Sequence, residues 1–171
     1  ASAYAFGGDL NNLDPAFEFW TQMAEDGRIN TLDILQQNFE TGEIPVGVIW
    51  SFTAIPYKDQ ITKYKLQANI PTDGSIMSGY ASVINKYAPH PCAAALAREY
   101  IFSDEGQANL AAAGAIPTRT DVEIPDDIQN ATFKSEDYAN AIPMEDTDAY
   151  TKACETVVER WQEEITPLLV Q

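Results

Sequence analysis

One histidine and two cysteines are all this chain offers to imidazole or thiol chemistry. His90 stands between Pro89 and Pro91, where a helix start explains it better than catalysis. A single imidazole cannot build a histidine metal centre alone. Cys92 and Cys154 allow one disulfide at most and lack the spacing of a zinc site. Cys154 falls on the apolar stripe of a late helix and reads as a buried thiol. The 26 Asp and Glu could always supply the two carboxylates of a glycosidase, but nothing singles out a pair. No G-x-S-x-G, P-loop, H-E-x-x-H or G-x-G-x-x-G occurs. The sequence therefore predicts no catalytic residue, no metal and no cofactor.

Two loops have the chemistry of ligand binding instead. Phe6-Gly7-Gly8-Asp9-Leu10-Asn11-Asn12-Leu13 is polar and glycine-rich, and it feeds a helix N-terminus. Asp9, Asn11 and Asn12 can present amides and oxygens to a ligand there. An ordinary turn and cap is the competing role. Trp50-Ser51-Phe52-Thr53 follows a continuous apolar run. Ligands of open α/β sheets sit outside the carboxyl ends of strands, which makes Trp50, Ser51 and Phe52 candidates. Trp50 has two open roles, stacking on a ligand or capping the core, and its indole N–H needs a partner in either.

The elements that must position these loops follow from period and punctuation. Asp14-Pro15 starts a helix, Ala16, Phe19, Trp20 and Met23 form its stripe, and Gly27 ends it. A second helix is expected over 31–40, with Leu32, Leu35 and Phe39 inward. Residues 44–50 read as a strand covered on both faces, and 64–70 and 80–85 as further strands. A short helical or irregular stretch, broken by Pro56, lies between the first two. Pro71-Thr72-Asp73-Gly74 is turn chemistry. Helices are expected over 91–102, with Leu96 inward, over 104–113, and over 148–165. Residues 120–147 are acidic and weakly patterned. Alternating strands and helices argue an α/β fold.

Composition narrows the function further. The 171 residues are 45% hydrophobic, enough for a real core. Ten Lys and Arg against 26 Asp and Glu give a formal charge of −16, which leaves no basic patch for nucleic acid or an anionic membrane. No apolar run approaches the ~20 residues of a membrane span. Residues 1–6 lack the charged start and apolar centre of a signal peptide.

Several runs resemble the extracellular solute-binding proteins of ABC importers. Gly79-Tyr80-Ala81-Ser82-Val83-Ile84-Asn85, followed by Ala88-Pro89-His90-Pro91 and an Ala-rich helix, is similar to one such run. Ser103-Asp104-Glu105-Gly106-Gln107 with Gly114-Ala115-Ile116-Pro117-Thr118-Arg119 is similar to a second. Gly42-Glu43-Ile44-Pro45-Val46-Gly47-Val48-Ile49-Trp50 resembles a third, and Gly8-Asp9-Leu10-Asn11-Asn12-Leu13-Asp14-Pro15 a fourth. The order holds along residues 7–119, and within the family the ferric-ion, polyamine and thiamine binders look nearest.

The resemblance implies a type II periplasmic-binding-protein lobe, a mixed sheet flanked by helices, in a two-lobed protein that closes by hinge bending. It implies no catalysis. A small solute or ion is captured outside the membrane, in the periplasm or by a cell-surface lipoprotein, and passed to permease subunits. Members are normally longer, so the chain looks like a C-terminal portion. Residues 1–119 would form an incomplete α/β lobe, and 120–171 an acidic connecting segment and a C-terminal helix. Trp50-Ser51 matches an aromatic and polar pair of the polyamine binders. Just before the later strand the polyamine binders place a carboxylate that holds an amine, whereas here Ile76-Met77-Ser78-Gly79-Tyr80 has no acid and offers Ser78 and Tyr80. The loops at Asp9 to Asn12, Trp50 to Phe52 and Ser78 to Tyr80 are then expected along one ligand-facing edge. An acid-rich carbohydrate-active domain and a ligand-free interaction domain are the alternatives from other classes.

Overall fold

The computed structural model describes residues 1–169. In chain order it contains α1 (Ser2–Ala5), α2 (Asp14–Glu25), α3 (Gln36–Thr41), α4 (Ser51–Gln60), β1 (Ser75–Met77), α5 (Pro91–Ile101) and α6 (Asp104–Ala112). There follow α7 (Asp126–Ala131), a 3-10 turn at Ser135–Tyr138, β2 (Ala141–Pro143), α8 (Thr147–Arg160), a π turn at Trp161–Ile165 and α9 (Thr166–Leu169). Two units result. Unit 1 combines Ala1–Asp33, Ile70–Ser78 and the described residues from Ala139 onward, and unit 2 combines Ile34–Asn69 with Gly79–Tyr138.

Unit 1 is built on α2, but on a face turned from the expected stripe, since Phe17 and Ala24 enter the core while Phe19 and Met23 are only half-buried. Asp14 and Pro15 occupy its first turn, where a carboxylate suits the helix dipole and proline loses no hydrogen bond. Phe17, Trp20 and Ala24 then share one face and meet Ile165, which is completely buried. Burying the side chains of Phe17 and Ile165 contributes about 1.5–3 kcal/mol each. The Trp20 indole N–H donates to Ser2 Oγ at 3.0 Å, and its ring meets Trp161 edge-on at 5.8 Å. Arg160 lies 4.0 Å over the Phe17 ring and donates to Asp14 at 2.8 Å and Glu164 at 2.6 Å. That clamp joins the start of α2 to the end of α8. The π turn has a local cause. Pro167 has no N–H and would crowd the Glu163 carbonyl in a regular helix, so the ladder widens and the Thr166 N–H reaches back to the Trp161 carbonyl. In the same unit, β1 and β2 pair in parallel, with Ile76 opposite Ile142.

Unit 2 has a small core of Phe39, Ile44 and Ile61, with Tyr57 and Leu66 against it. Its most densely hydrogen-bonded part is the corner between α5 and α6. Ser103 caps α6 by accepting the Gly106 N–H at 3.1 Å. A Cβ on Gly106 would collide with the Tyr100 carbonyl, so the corner requires glycine. Gln107 is completely buried with both polar atoms partnered: Nε2 donates to the Ile101 carbonyl at 2.8 Å and Oε1 accepts the Arg119 N–H at 3.0 Å. Arg119 donates to the Phe102 carbonyl, Asp104 and Asp121. Its guanidinium holds the Asp121 carboxyl below the ordinary carboxylate range. The Ser103 to Arg119 motif is therefore a packing device.

Several sequence expectations are corrected. Residues 44–50, 64–70 and 80–85 are not strands but extended or irregular backbone. In the first of these Ile44 is buried, but Val46 and Val48 are 82% and 78% exposed. An apolar run becomes a strand only when a neighbour completes its ladder, and the described strands are β1 and β2. The helix expected from residue 31 starts at Gln36. The Asn30 side chain accepts the Leu32 N–H at 2.9 Å, a local turn that competes with helix, and Leu32 and Leu35 end up exposed. Leu96 is 72% exposed rather than inward, because α5 buries none of its residues. The thiols of Cys92 and Cys154 are free and exposed, so Cys154 is not the buried thiol its stripe suggested. The last helix breaks into α8, the π turn and α9.

Candidate functional site

In unit 2, four residues nominated from sequence come together: Trp50, Ser51, Phe52 and Tyr80. Trp50 is the N-cap of α4, with extended backbone at φ −65° and ψ 142°, and Ser51 and Phe52 open the helix. The site thus sits on a helix start, not on the strand end that the apolar run suggested. The Trp50 and Phe52 rings are near parallel, 14° apart in plane with centroids at 6.4 Å. Tyr80, on the extended segment that begins unit 2's second stretch, meets Phe52 edge-on at 6.1 Å. Trp50 is 52% exposed and Tyr80 84% exposed, so this aromatic cluster faces solvent.

Packing from behind holds the cluster. Gly114 ends α6 at φ 87°, a left-handed turn that favours glycine. A Cβ there would stand 3.2 Å from Phe52 Cα and from the Ile55 side chain. The end of α6 therefore presses directly on the first turn of α4. Tyr138 lies within hydrogen-bonding reach of Ser51. Burial raises its phenol above the ordinary value, and hydrogen bonding with Ser51 opposes that rise. Tyr138 also meets the Phe133 ring at 6.1 Å. Sequence reasoning missed Tyr138, because the acidic stretch around it has no periodicity to mark a packed position.

Asp9, Asn11, Asn12 and Ser78 belong to unit 1. Asp9 Oδ1 accepts the N–H groups of Asn11 at 2.7 Å and Asn12 at 2.9 Å, and Asn12 Oδ1 accepts the Asp14 N–H at 3.3 Å. Those two side chains shape the turn into α2, the competing role open for this loop from sequence. Beside the loop is a polar recess of about 160 Å³, with Asn11 and Asn12 on one side and Lys152, Thr156 and Arg160 of α8 on the other. The α8 contribution had no sequence signal, since Asp14 and Arg160 lie 146 residues apart. Ser78 is exposed just after β1.

Chemically, the aromatic cluster offers ring faces and edges for stacking or for a cation, with hydroxyls at Ser51 and Tyr80. Among the described residues, no group of three or more His, Cys, Asp or Glu is placed to hold a metal ion. Nor is any described helix long and apolar enough to cross a membrane. The sequence profile of a family described as bacterial extracellular solute-binding protein matches residues 2–142. No curated protein matches the chain.

Proposed function

The chain belongs to the bacterial extracellular solute-binding proteins, and from that membership we propose that it captures a small solute or ion outside the cell for an ABC permease. Proteins of this family are generally non-enzymatic importer components, and the family fits a periplasmic-binding-protein fold. The finer reading places ligand contact on Trp50, Ser51, Phe52 and Tyr80. One observation carries it: Trp50 and Tyr80 stay exposed on either side of the half-buried Phe52 ring at the start of α4, instead of entering the core. Exposed aromatic clusters of this kind cost solvation and mark interaction surfaces. On unit 1, the proposal extends to Asn11 at the polar recess, to Asp9 and Asn12 of the same turn, and to Ser78. The type II lobe, and a location in the periplasm or on a cell-surface lipoprotein, belong to the same proposal.

A thermal-shift screen tests it, because a ligand that binds only the folded state raises the melting temperature by mass action. Ferric citrate, spermidine, thiamine and small inorganic anions form the first panel, spanning the subgroups that the sequence resembles most. A saturable shift that is lost in Trp50→Ala supports the aromatic site. A saturable shift retained in that variant moves the site elsewhere on the chain.

A further inference from the structure

Charge is divided unevenly between the units. Unit 1 carries three cations, Arg28, Lys152 and Arg160, against 14 carboxylates, a formal charge of 3 − 14 = −11. Unit 2 carries seven against 12, or 7 − 12 = −5. Two of the unit 1 cations are already paired, Arg28 with Asp26 and Arg160 with Asp14 and Glu164.

Placement adds to number. α2 ends on Glu25, with Asp26 as its C-cap and no basic residue in its last turn. α8 carries Glu155 and Glu159 one turn apart in its second half, and Glu163 follows in the π turn. Among the described residues, these three carboxylates have no ion pair. Carboxylates at a helix C-terminus oppose the helix dipole, and like charges four residues apart repel. α2 and the π turn after α8 are also the elements whose apolar faces meet at Phe17, Ala24 and Ile165, so the repulsion works against the core of unit 1. α8 does carry Arg160 in its last turn, but that cation is engaged by Asp14 and Glu164, whereas in unit 2 Lys58 and Arg98 stand in the last turns of α4 and α5.

Mobile ions weaken both kinds of repulsion, because the screening length falls from about 10 Å at 0.1 M salt to about 3 Å at 1 M. We propose that unit 1 is an ionic-strength-dependent folding unit, whose helices gain stability as the salt of the medium rises while unit 2 responds little. Diffuse counter-ions suffice, with no discrete cation site. The inference is independent of the ligand reading. It matters for a protein of an extracellular family, which meets the salt of its surroundings directly.

Amide hydrogen exchange on the full chain, at about 0.05 M and about 1 M NaCl, reads both units in one sample. Peptides covering α2 and α8 should slow by about tenfold, and those covering α5 and α6 by about twofold or less. Sucrose, which favours burial without screening charge, should not separate the units. The triple variant Glu155→Gln/Glu159→Gln/Glu163→Gln should gain protection in α8 at low salt and lose most of its salt response. Equal slowing in both units, no slowing in α2 and α8, or a wild-type salt response in the triple variant would overturn the proposal. So would the full gain from millimolar CaCl2 alone, which would mean a discrete ion site.

Discussion

Trp50 and Gln107 are opposite solutions to placing a large side chain in a small domain. Trp50 keeps half its surface in water beside Phe52, so truncating it removes little from the core. Trp50→Ala should weaken ligand binding by about 1–3 kcal/mol while the urea midpoint barely moves. Calorimetry with the ligand found by screening measures the first, and a denaturation curve the second. A large loss of stability with unchanged affinity would make Trp50 a core residue. Gln107 has no exposed surface and joins α6 to the Ile101 carbonyl and the Arg119 N–H. Gln107→Leu fits the volume but orphans both partners, at about 1–3 kcal/mol for each group left unpaired in the interior. A urea midpoint equal to wild type would show that water replaces the amide.

Among the elements, the start of α2 and the end of α8 are joined by one cation. Arg160 binds both Asp14 and Glu164, and its guanidinium holds the Glu164 carboxyl below its ordinary value. Asp121 is depressed in the same direction by Arg119. A carboxylate with a lower pKa folded than unfolded stabilises the fold above its unfolded value, and that contribution disappears as pH falls through the folded value. Thermal stability should therefore fall with acidification below the ordinary carboxylate range. In Arg160→Gln the neutral-pH melting temperature should drop, and the acid-induced fall should be shallower, because one depressed carboxylate has been released. Scanning calorimetry across a pH series checks both. An unchanged pH slope in the variant would assign the acid response to other carboxylates.

At the scale of the whole molecule, a binding role should come without turnover. The family is generally non-enzymatic, and the contact proposed at the aromatic cluster is one of stacking and hydrogen bonding. Glycan, ester and phosphoester substrates should all remain intact after prolonged incubation, as followed by product chromatography. Turnover abolished by replacing one carboxylate would establish an enzyme and end the importer reading. The two units also divide the reporters usefully: Trp20 and Trp161 pack in unit 1, while Trp50 lies in unit 2.

Helix starts and stops were legible in the residues themselves. Asp14-Pro15, Pro91 and Ser103 each mark a helix that the structure contains, because caps and proline act within one turn of the chain. The Trp50-Ser51-Phe52 group could also be nominated from sequence, as aromatic residues at the end of an apolar run. What needed tertiary structure was every property that depends on a distant partner. Val46, Val48 and Val83 have strand chemistry, yet a strand exists only where a second one supplies hydrogen bonds. Leu96 lies on a stripe, but only a packed neighbour turns a stripe into core. The meeting of Phe52 with Tyr80, the seat of Gly114 against α4, and the clamp of Arg160 on Asp14 join residues far apart in the chain. Local sequence sets the conformations that one or two turns can enforce, and packing free energy, which no single segment holds, chooses which surfaces meet.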